Sequence, residues 1–336
     1  TVATETWTEN LDDSHACVGT AVTAEPGAVV VAGGGKECIE YDAGESSCTG
    51  GQITASSDGM AVKVNADGSR GWSWRTNRPG EKDQMLGVVE LPGGEILLAG
   101  WRIDKGVSRR VLTKLSAVGQ KVWDFTDFGG DDATHHGAIE LVTMAGTTHV
   151  LLAGFKDKPD ATSMAFKSGG NCEYGKAWIA KMAVSALSGP KPPSRSDVLW
   201  EKIEPRYMTA KAAKALPDGS VVALLWAGKE QPGRGPAMSA GIARYTANLK
   251  DTWWGPTNYG KTQNSMEGTD IAFSEDGTKI ALSGHGGFRA TGKFYTGKLV
   301  LIGAEDGAEL SYTEINAGGV PEMIYNKCWG VVAVAG

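Results

Sequence analysis

A recurring apolar run that ends in Ala-Gly or Ser-Gly constrains the fold of this chain more than any other feature. The run occurs six times, at intervals of roughly 50 to 75 residues. An aromatic mark, usually Trp, follows most of the runs after a polar turn. Self-similarity at this spacing is typical of a repeat architecture. The runs end at Gly33, Gly100, Gly154, Gly228, Gly284 and Gly336, and the aromatic marks are Trp7, Trp74, Trp123, Trp200, Trp254 and Tyr312.

The content of one repeat predicts the architecture. Met85 to Phe125 contains four short runs separated by Gly-containing turns, and none has a sustained helical period. Gly makes up 47 of the 336 residues, which favours many tight turns. Four-stranded antiparallel units that repeat are the blades of a β-propeller. We therefore predict an all-β fold of the β-propeller class, since solenoid repeats are shorter and two sandwiches would not repeat.

The two series of marks are out of phase at the chain ends. Trp7 has no inner strands before it, and Gly336 has no outer strands after it. We predict six four-stranded blades with an interleaved closing blade, which would leave no free sheet edge. The alternative is part of a larger propeller, and the start at Thr1 without Met is interpreted as processing or trimming. The predicted domain is 1–336, with blades at approximately 9–74, 75–125, 126–202, 203–255, 256–314, and 315–336 together with 1–8.

One stretch carries a family resemblance. Trp123 to Asp157 runs from an aromatic strand end through Phe-Gly-Gly-Asp to an apolar strand, a Gly turn and a strand ending in Ala-Gly. The hairpins VKVNADGSRGWSW and TKLSAVGQKVWDF have the spacing Leu-x-x-x-Gly-x-x-x-Trp or close to it. The chain thereby resembles SBBP-type β-propeller repeat proteins. The resemblance implies a propeller, commonly of secreted or surface proteins, and no particular chemistry.

Charge and hydropathy exclude two classes of partner. The formal net charge is −6 and the sequence pI about 5.5. Nucleic-acid binding requires clustered Lys and Arg, so we expect no nucleic-acid partner. The longest apolar run, Val221 to Ala227, is far shorter than the roughly 18 residues of a membrane span.

Two large insertions are candidate partner-binding loops. They extend from Gly34 to Asp58 and from Lys156 to Lys176, both between a second and a third predicted strand. Such connections lie on the face of a propeller that also carries the blade-joining loops, and long loops on a rigid scaffold are often functional. We therefore expect a protein partner or a higher assembly to bind there. The candidate contact residues are Glu37, Glu40, Tyr41, Asp42, Glu45, Glu173 and Tyr174.

Cysteine usage indicates an oxidising compartment. Cys38 and Cys48 lie ten residues apart in one Gly-rich acidic loop, and we predict a disulfide between them. The count of five leaves at least one thiol unpaired within the chain, and the pairing of the other three stays open. We expect an extracellular, secreted or lumenal protein.

Two carboxylate–imidazole clusters, LDDSH at residues 11–15 and GGDDATHH at residues 129–136, are candidate metal ligands, and the second is the candidate metal site. Asp131, Asp132 and His135 occur together in one blade-joining loop, and such ligands at a channel mouth can hold a divalent cation. The favoured interpretation is that each Asp accepts backbone N–H bonds in its own turn. We predict no cofactor, with a divalent cation as the alternative.

Motifs of enzymes are missing from the sequence. There is no Gly-x-Ser-x-Gly elbow, and the glycines 33–35 follow a strand without opening a helix. The favoured function is a non-enzymatic extracellular or lumenal recognition and assembly module that binds a protein through its top-face loops. The first alternative is a carbohydrate-binding, lectin-like propeller, although most Trp residues are predicted to pack between blades. The second is a metal-dependent hydrolase or lyase.

Overall fold

The structure is a computed structural model of the chain. All statements below concern the part of the chain that it describes. This part comprises residues 14–22, 25–36, 57–76, 83–104, 107–128, 133–144, 146–158, 176–204, 209–229, 237–248, 250–254, 266–286 and 296–315.

Within this part, the strands form consecutive four-stranded antiparallel sheets, numbered here from the N-terminus. Sheet 1 contains β1 (Ser14–Val22), β2 (Val29–Lys36), β3 (Ser57–Val64) and β4 (Arg70–Arg75). Sheet 2 contains β5 (Asp83–Glu90), β6 (Ile96–Asp104), β7 (Val107–Leu115) and β8 (Lys121–Phe125). Sheet 3 contains β9 (Ala133–Met144), β10 (Thr147–Lys158), β11 (Lys176–Ala183) and β12 (Val198–Glu204).

The last two sheets follow the same pattern. Sheet 4 contains β13 (Thr209–Ala215), β14 (Val221–Lys229), β15 (Ala237–Tyr245) and β16 (Asp251–Trp254). Sheet 5 contains β17 (Met266–Phe273), β18 (Lys279–Gly286), β19 (Thr296–Gly303) and β20 (Glu309–Ile315). A single parallel pairing of Ser239 with Met266 links these two sheets. The only regular helices in the described residues are α1 (Val184–Leu187) and a 3₁₀ turn at Arg195–Asp197. No helix in this part of the chain is long and apolar enough to cross a membrane.

This succession of four-stranded antiparallel sheets has the all-β, β-propeller fold that the repeat predicts. The described residues do not reach the predicted closing blade, because residues 1–8 and 316–336 lie outside them. The blade limits, the six-blade closure and the single-domain assignment therefore stay predictions.

The chain divides into two compact units. The first consists of Thr1–Leu141, Pro159–Thr162 and Met182–Val198. In it, β5 packs against β1, β2 and β3, so the first strand of sheet 2 covers a face of sheet 1. The core between these strands is apolar and includes Val30, Met85, Val88, Ile96, Leu98, Val111 and Leu115.

The second unit consists of Val142–Lys158, Ser163–Lys181 and Leu199–Gly336. In it, β17 packs against β13 and β14. A Cβ added to Gly268 of β17 would lie 2.6 Å from a methyl group of Leu224, so the two sheets approach closely there. The core includes Leu216, Val222, Leu224, Ile242, Ile271, Ile280, Leu282, Val300 and Ile302.

The Ala-Gly mark of the repeat has a structural cause. The first strand of a sheet carries a bulge, and a glycine of the second strand pairs at the residue before it: Cys17 with Gly33, Met85 with Gly100, and Gly268 with Gly284. A Cβ on Gly100 would lie 2.0 Å from the carbonyl oxygen of Gln84, which leaves no room for a side chain. The mark at Gly228 differs, because Leu225 pairs at the bulge of sheet 4.

Candidate functional site

Most of the predicted site residues lie outside the described residues. Of the predicted metal ligands, only His135 falls within a described strand, β9, and the structure describes its backbone alone. In the described part, no group of three or more His, Cys, Asp or Glu side chains is placed to hold a metal ion. The other predicted site residues all fall outside: Asp131, Asp132, Cys38, Cys48, Glu37, Glu40, Tyr41, Asp42, Glu45, Glu173 and Tyr174.

Each sheet has two distinct ends. We call the end with the first-to-second and third-to-fourth strand connections the turn end, and the opposite end the loop end. In sheets 1 and 3, the second-to-third strand connections at the loop end are residues 37–56 and 159–175, whereas in sheet 2 the equivalent connection is 105–106. Both insertions are thus second-to-third strand connections, as predicted, with β2 extending to Lys36 and β10 to Lys158.

A buried carboxylate fixes the base of the first of these connections. Asp83, at 1% exposure, is the first residue of β5 and lies beside the start of β3. It accepts hydrogen bonds from the backbone N–H of Gly59 and the hydroxyl of Thr76. The N–H of Thr76 in turn donates to the carbonyl oxygen of Gly59 over 2.8 Å. The point where connection 37–56 returns to the sheet is therefore held by side-chain as well as ladder hydrogen bonds.

Asp residues at the turn end bond within their own turns. The carboxylate of Asp276 accepts from the Ser274 hydroxyl at 2.6 Å and from the Thr278 N–H at 3.0 Å and hydroxyl at 2.8 Å. These hydrogen bonds stabilise the ionised form, Ser274 most, and lower the pKa of Asp276 to about 2. Asp67 and Asp218 cap their turns in the same way through Ser69 and Ser220.

A cation near the end of the third strand recurs at the turn end. In sheets 1, 2 and 4, this cation forms an ion pair with a carboxylate from the first turn of its own sheet. A buried cation stabilises the fold only when an opposite charge and further hydrogen bonds offset its loss of hydration. These pairs are Lys63 with Glu25 at 2.6 Å, Lys114 with Glu95 at 2.7 Å, and Arg244 with Asp218.

A Trp on the fourth strand lies opposite the cation. Trp72, Trp123 and Trp253 pair in register with Lys63, Lys114 and Arg244. Each indole N–H donates to a backbone carbonyl in the third-to-fourth strand connection of the following sheet, so these Trp residues join sheets within a unit. The bonds are Trp72 to Ala117 at 3.1 Å, Trp123 to Gly189 at 3.2 Å, and Trp253 to Ala304 at 3.1 Å.

At two of these positions, the aromatic residue marked in the sequence is not the one that lies opposite the cation. The sequence predicts Trp74 and Trp254 as the repeat aromatics, but in the structure Trp72 and Trp253 occupy the position of Trp123. The reason is that both pairs place two aromatics within three residues, and only the strand register distinguishes them. A signal for the correct register was present in the tripeptides VKV, TKL, AKM and ARY, whose central residue is the recurring cation.

Sheet 3 departs from this arrangement. Its cation, Lys181 of β11, is 7% exposed, and its ammonium lies 4.4 Å from the ring centroid of Trp200 and 3.4 Å from the carbonyl oxygen of Ala247. Among the described residues, no carboxylate forms an ion pair with Lys181, and the buried indole nitrogen of Trp200 has no hydrogen-bond partner. His149 of β10 is also buried, with Nδ1 2.9 Å from the carbonyl oxygen of Thr147.

Lys181 and His149 are both buried, and burial disfavours the charged form of each side chain. Burial lowers the pKa of the Lys181 ammonium below its ordinary value. Burial, and secondarily the charge of Lys181, lowers the pKa of the His149 imidazole, against a smaller opposing effect of its hydrogen bond with Thr147. We call Lys181, Trp200 and His149 the sheet 3 triad. Perturbed pKa values that coincide in one place are typical of binding sites.

Comparison with known proteins adds structural similarities only. No protein-family model matches the chain, and no curated protein matches it. Sqt1 from Chaetomium thermophilum is similar at 12% identity and a TM-score of 0.46, over 90% of this chain and 62% of that one. The β-propeller domain of Cps50 (Swd1) from Myceliophteria thermophila is similar at 10% identity and 0.43, over 89% and 73%.

An enzyme is among the similar structures as well. The quinohemoprotein alcohol dehydrogenase from Comamonas testosteroni has 14% identity and a TM-score of 0.48, over 92% of this chain and 44% of that one. The chain thus spans less than two thirds of the length of both Sqt1 and the dehydrogenase. Identities this low do not indicate what the chain binds.

Proposed function

We propose that the protein is a non-enzymatic recognition module that binds a protein partner through connections 37–56 and 159–175. The observation that carries this proposal is the length and position of these two connections. Both are long and join paired strands, whereas the equivalent connection of sheet 2 is residues 105–106 alone. Long, side-chain-rich connections on a rigid β scaffold are the usual carriers of recognition. The resemblance to SBBP-type repeats belongs to the same proposal.

Charge defines the partner. Connection 37–56 contains Glu37, Glu40, Asp42 and Glu45, with Tyr41 as an amphipathic contact residue. Acidic groups concentrated in one segment favour a basic protein surface, and electrostatic attraction accelerates the encounter. Connection 159–175 adds Glu173 and Tyr174. We therefore expect the association to weaken as the salt concentration rises.

A disulfide between Cys38 and Cys48 belongs to this proposal. It would restrict the acidic segment before binding and so reduce the conformational entropy lost on association. It also implies an oxidising location, extracellular or lumenal. Mass spectrometry of the unreduced protein tests both points, and two free thiols would contradict them.

The carbohydrate alternative has little support in the described residues. Lectin-like binding would use exposed Trp rings, whereas Trp72, Trp123 and Trp253 donate hydrogen bonds between sheets. Their indole donors are thus used within the protein, and among the three only Trp123 is a repeat aromatic that the sequence predicts to pack between blades.

Binding of a lysine-rich peptide, alternating Lys and Ala, tests the recognition proposal. In the loop variant, Glu37, Glu40 and Glu45 are all replaced by Gln. In the matched control, the same replacement is made at Glu275, Glu305 and Glu309, which are exposed at the turn end of sheet 5. We expect the loop variant to bind the peptide about fivefold more weakly and the control to bind as the wild type does. Equal losses of peptide affinity in the two variants would show that only the net charge of the protein matters, and would contradict the proposal.

A further inference from the structure

The turn ends of sheets 1, 2 and 4 share one arrangement that sheet 3 lacks. In each of the three, the cation near the end of the third strand is paired with a carboxylate of the first turn. In sheet 3, Lys181 occupies the equivalent place in AKM, and no carboxylate of the described chain reaches it. Within the described residues, sheet 3 therefore has the recurring cation, Lys181, without the acid that pairs with it in the other three sheets.

The substitution that removes the acid can be identified. Glu95 immediately precedes the run ILLAG in sheet 2, and His149 immediately precedes the run VLLAG in sheet 3. Glu95 pairs with Lys114 at 2.7 Å, although the Lys114 side chain is fully buried. His149 stands before its run at the place of Glu95 and supplies no carboxylate there. Burial, and then the charge of Lys181, lowers the pKa of its imidazole, so protonation of the ring is disfavoured.

We propose that the sheet 3 triad is a binding site for a carboxylate supplied from outside the chain. The proposal does not depend on the loop connections, since the site lies at the turn end. Lys181 supplies the charge, and the buried indole N–H of Trp200, which has no hydrogen-bond partner among the described residues, becomes a second donor if the ligand enters beside the ring. The lowered pKa of Lys181 is consistent with a cation that lacks its anion.

The ion pairs of sheets 1, 2 and 4 indicate why the ligand is a carboxylate and how it reaches the cation. In all three, a carboxylate of the first turn pairs with the equivalent cation, although Glu25, Glu95 and Asp218 come from different positions of their turns. The side chain of the acid is more exposed than that of the cation, at 29% against 0% for Glu95 and Lys114. In each of the three pairs the acid is therefore the more solvent-exposed partner, and in sheet 2 it covers a fully buried cation. We infer the same approach, from the solvent side, for an external carboxylate at Lys181.

Two probes distinguish the possible sources of the carboxylate. Sodium acetate represents a small carboxylate, and an acetylated, amidated tetraglutamate peptide represents an acidic protein segment. Sodium chloride at equal ionic strength controls for general salt effects. The readouts are the NMR resonance of the Trp200 indole N–H and the dissociation constant obtained from its titration.

Three variants make the test specific. His149→Glu supplies the missing acid from within the chain, so it should fold well and occupy its own site. Lys181→Met removes the charge. Val118→Glu adds the same negative charge as His149→Glu at a turn residue that is 66% exposed, in sheet 2.

We expect both carboxylate probes, and not chloride, to shift the Trp200 resonance in the wild type and in Val118→Glu. Affinity should fall about tenfold or more in His149→Glu and in Lys181→Met, as expected for the loss of a charged hydrogen bond. Tighter binding of the peptide than of acetate would assign the site to a protein partner, and equal binding would assign it to a small carboxylate. The absence of a shift in the wild type, or equal losses in His149→Glu and Val118→Glu, would overturn the proposal.

Discussion

The indole N–H of Trp72 donates a 3.1 Å hydrogen bond to the carbonyl oxygen of Ala117, 45 residues further along the chain. The ring of Trp72 also covers Gly119, where an added Cβ would lie 2.6 Å from the ring. Gly119 has a φ of +79°, in the left-handed region that favours glycine. Sheets 1 and 2 are therefore joined at the turn end by a contact that uses both a specific donor and a specific glycine.

Substitution of Trp72 by Phe should destabilise the protein more than the same substitution of Trp74. Trp72→Phe removes the bond to Ala117, and we expect a loss of about 1 kcal/mol in the free energy of unfolding. Trp74→Phe keeps that bond and serves as the matched control, because both rings pack against the same apolar core. Chemical denaturation measures both values. An equal or larger loss for Trp74→Phe would contradict the assigned role.

The pH dependence of stability should report the sheet 3 triad. The pKa of His149 in the folded protein is lowered from the ordinary value of 6.5, first by burial and then by the charge of Lys181. Its contribution to stability is therefore present above about pH 6.5 and is lost as the pH falls through the lower, folded-state pKa. Denaturation of the wild type and of His149→Gln from pH 8 to pH 5 tests this. The wild type should lose more stability over that range, and parallel curves would show that His149 does not contribute.

Removal of the Asp83 carboxylate should loosen the base of connection 37–56. In Asp83→Ala, the N–H of Gly59 loses its buried side-chain acceptor. Loss of this buried acceptor should speed amide hydrogen exchange at residues 57–60 by about tenfold or more. Glu90→Ala, at the other end of β5, is the control and should leave this exchange unchanged. Unchanged exchange in Asp83→Ala would contradict the role given to Asp83.

The Asp276 turn predicts an unusually acidic carboxyl group. Its pKa is lowered to about 2, chiefly by the Ser274 hydroxyl. Because the folded-state pKa is depressed, the stabilising contribution is present above the ordinary value of 3.8 and is lost as the pH falls through about 2. Ser274→Ala should raise the pKa of Asp276 in a carboxyl NMR titration. Identical titrations of Asp276 in the two proteins would contradict this assignment.

The repeat in the sequence was sufficient to predict the sheet architecture, because strand length and turn position depend on local residues. Gly100 marks the bulge with Met85, so the spacing of Ala-Gly runs followed a real backbone constraint. Strand register is not local. The choice between Trp72 and Trp74 depends on which residue lies opposite Lys63, and that required the structure.

The site at the turn end was less accessible to sequence reasoning. Lys181 is an ordinary lysine in an alternating strand, and His149 is an ordinary residue before an apolar run. Their significance appears only in comparison with Lys114 and Glu95, which the fold brings together from different strands. Among the described residues no carboxylate pairs with Lys181, and the change from Glu95 to His149 before the apolar run has meaning only once the fold shows which cation that position serves.

Hydrogen exchange in the presence of the lysine-rich peptide tests most directly whether recognition belongs to the loop ends. The turn ends hold neighbouring sheets together through bonds such as that of Trp72 with Ala117, and we propose that connections 37–56 and 159–175 bind the partner. We predict that the peptide slows exchange within residues 37–56 and leaves the turn-end segments 65–69 and 116–120 unchanged. Slower exchange at those turn-end segments, with none at 37–56, would contradict the claim.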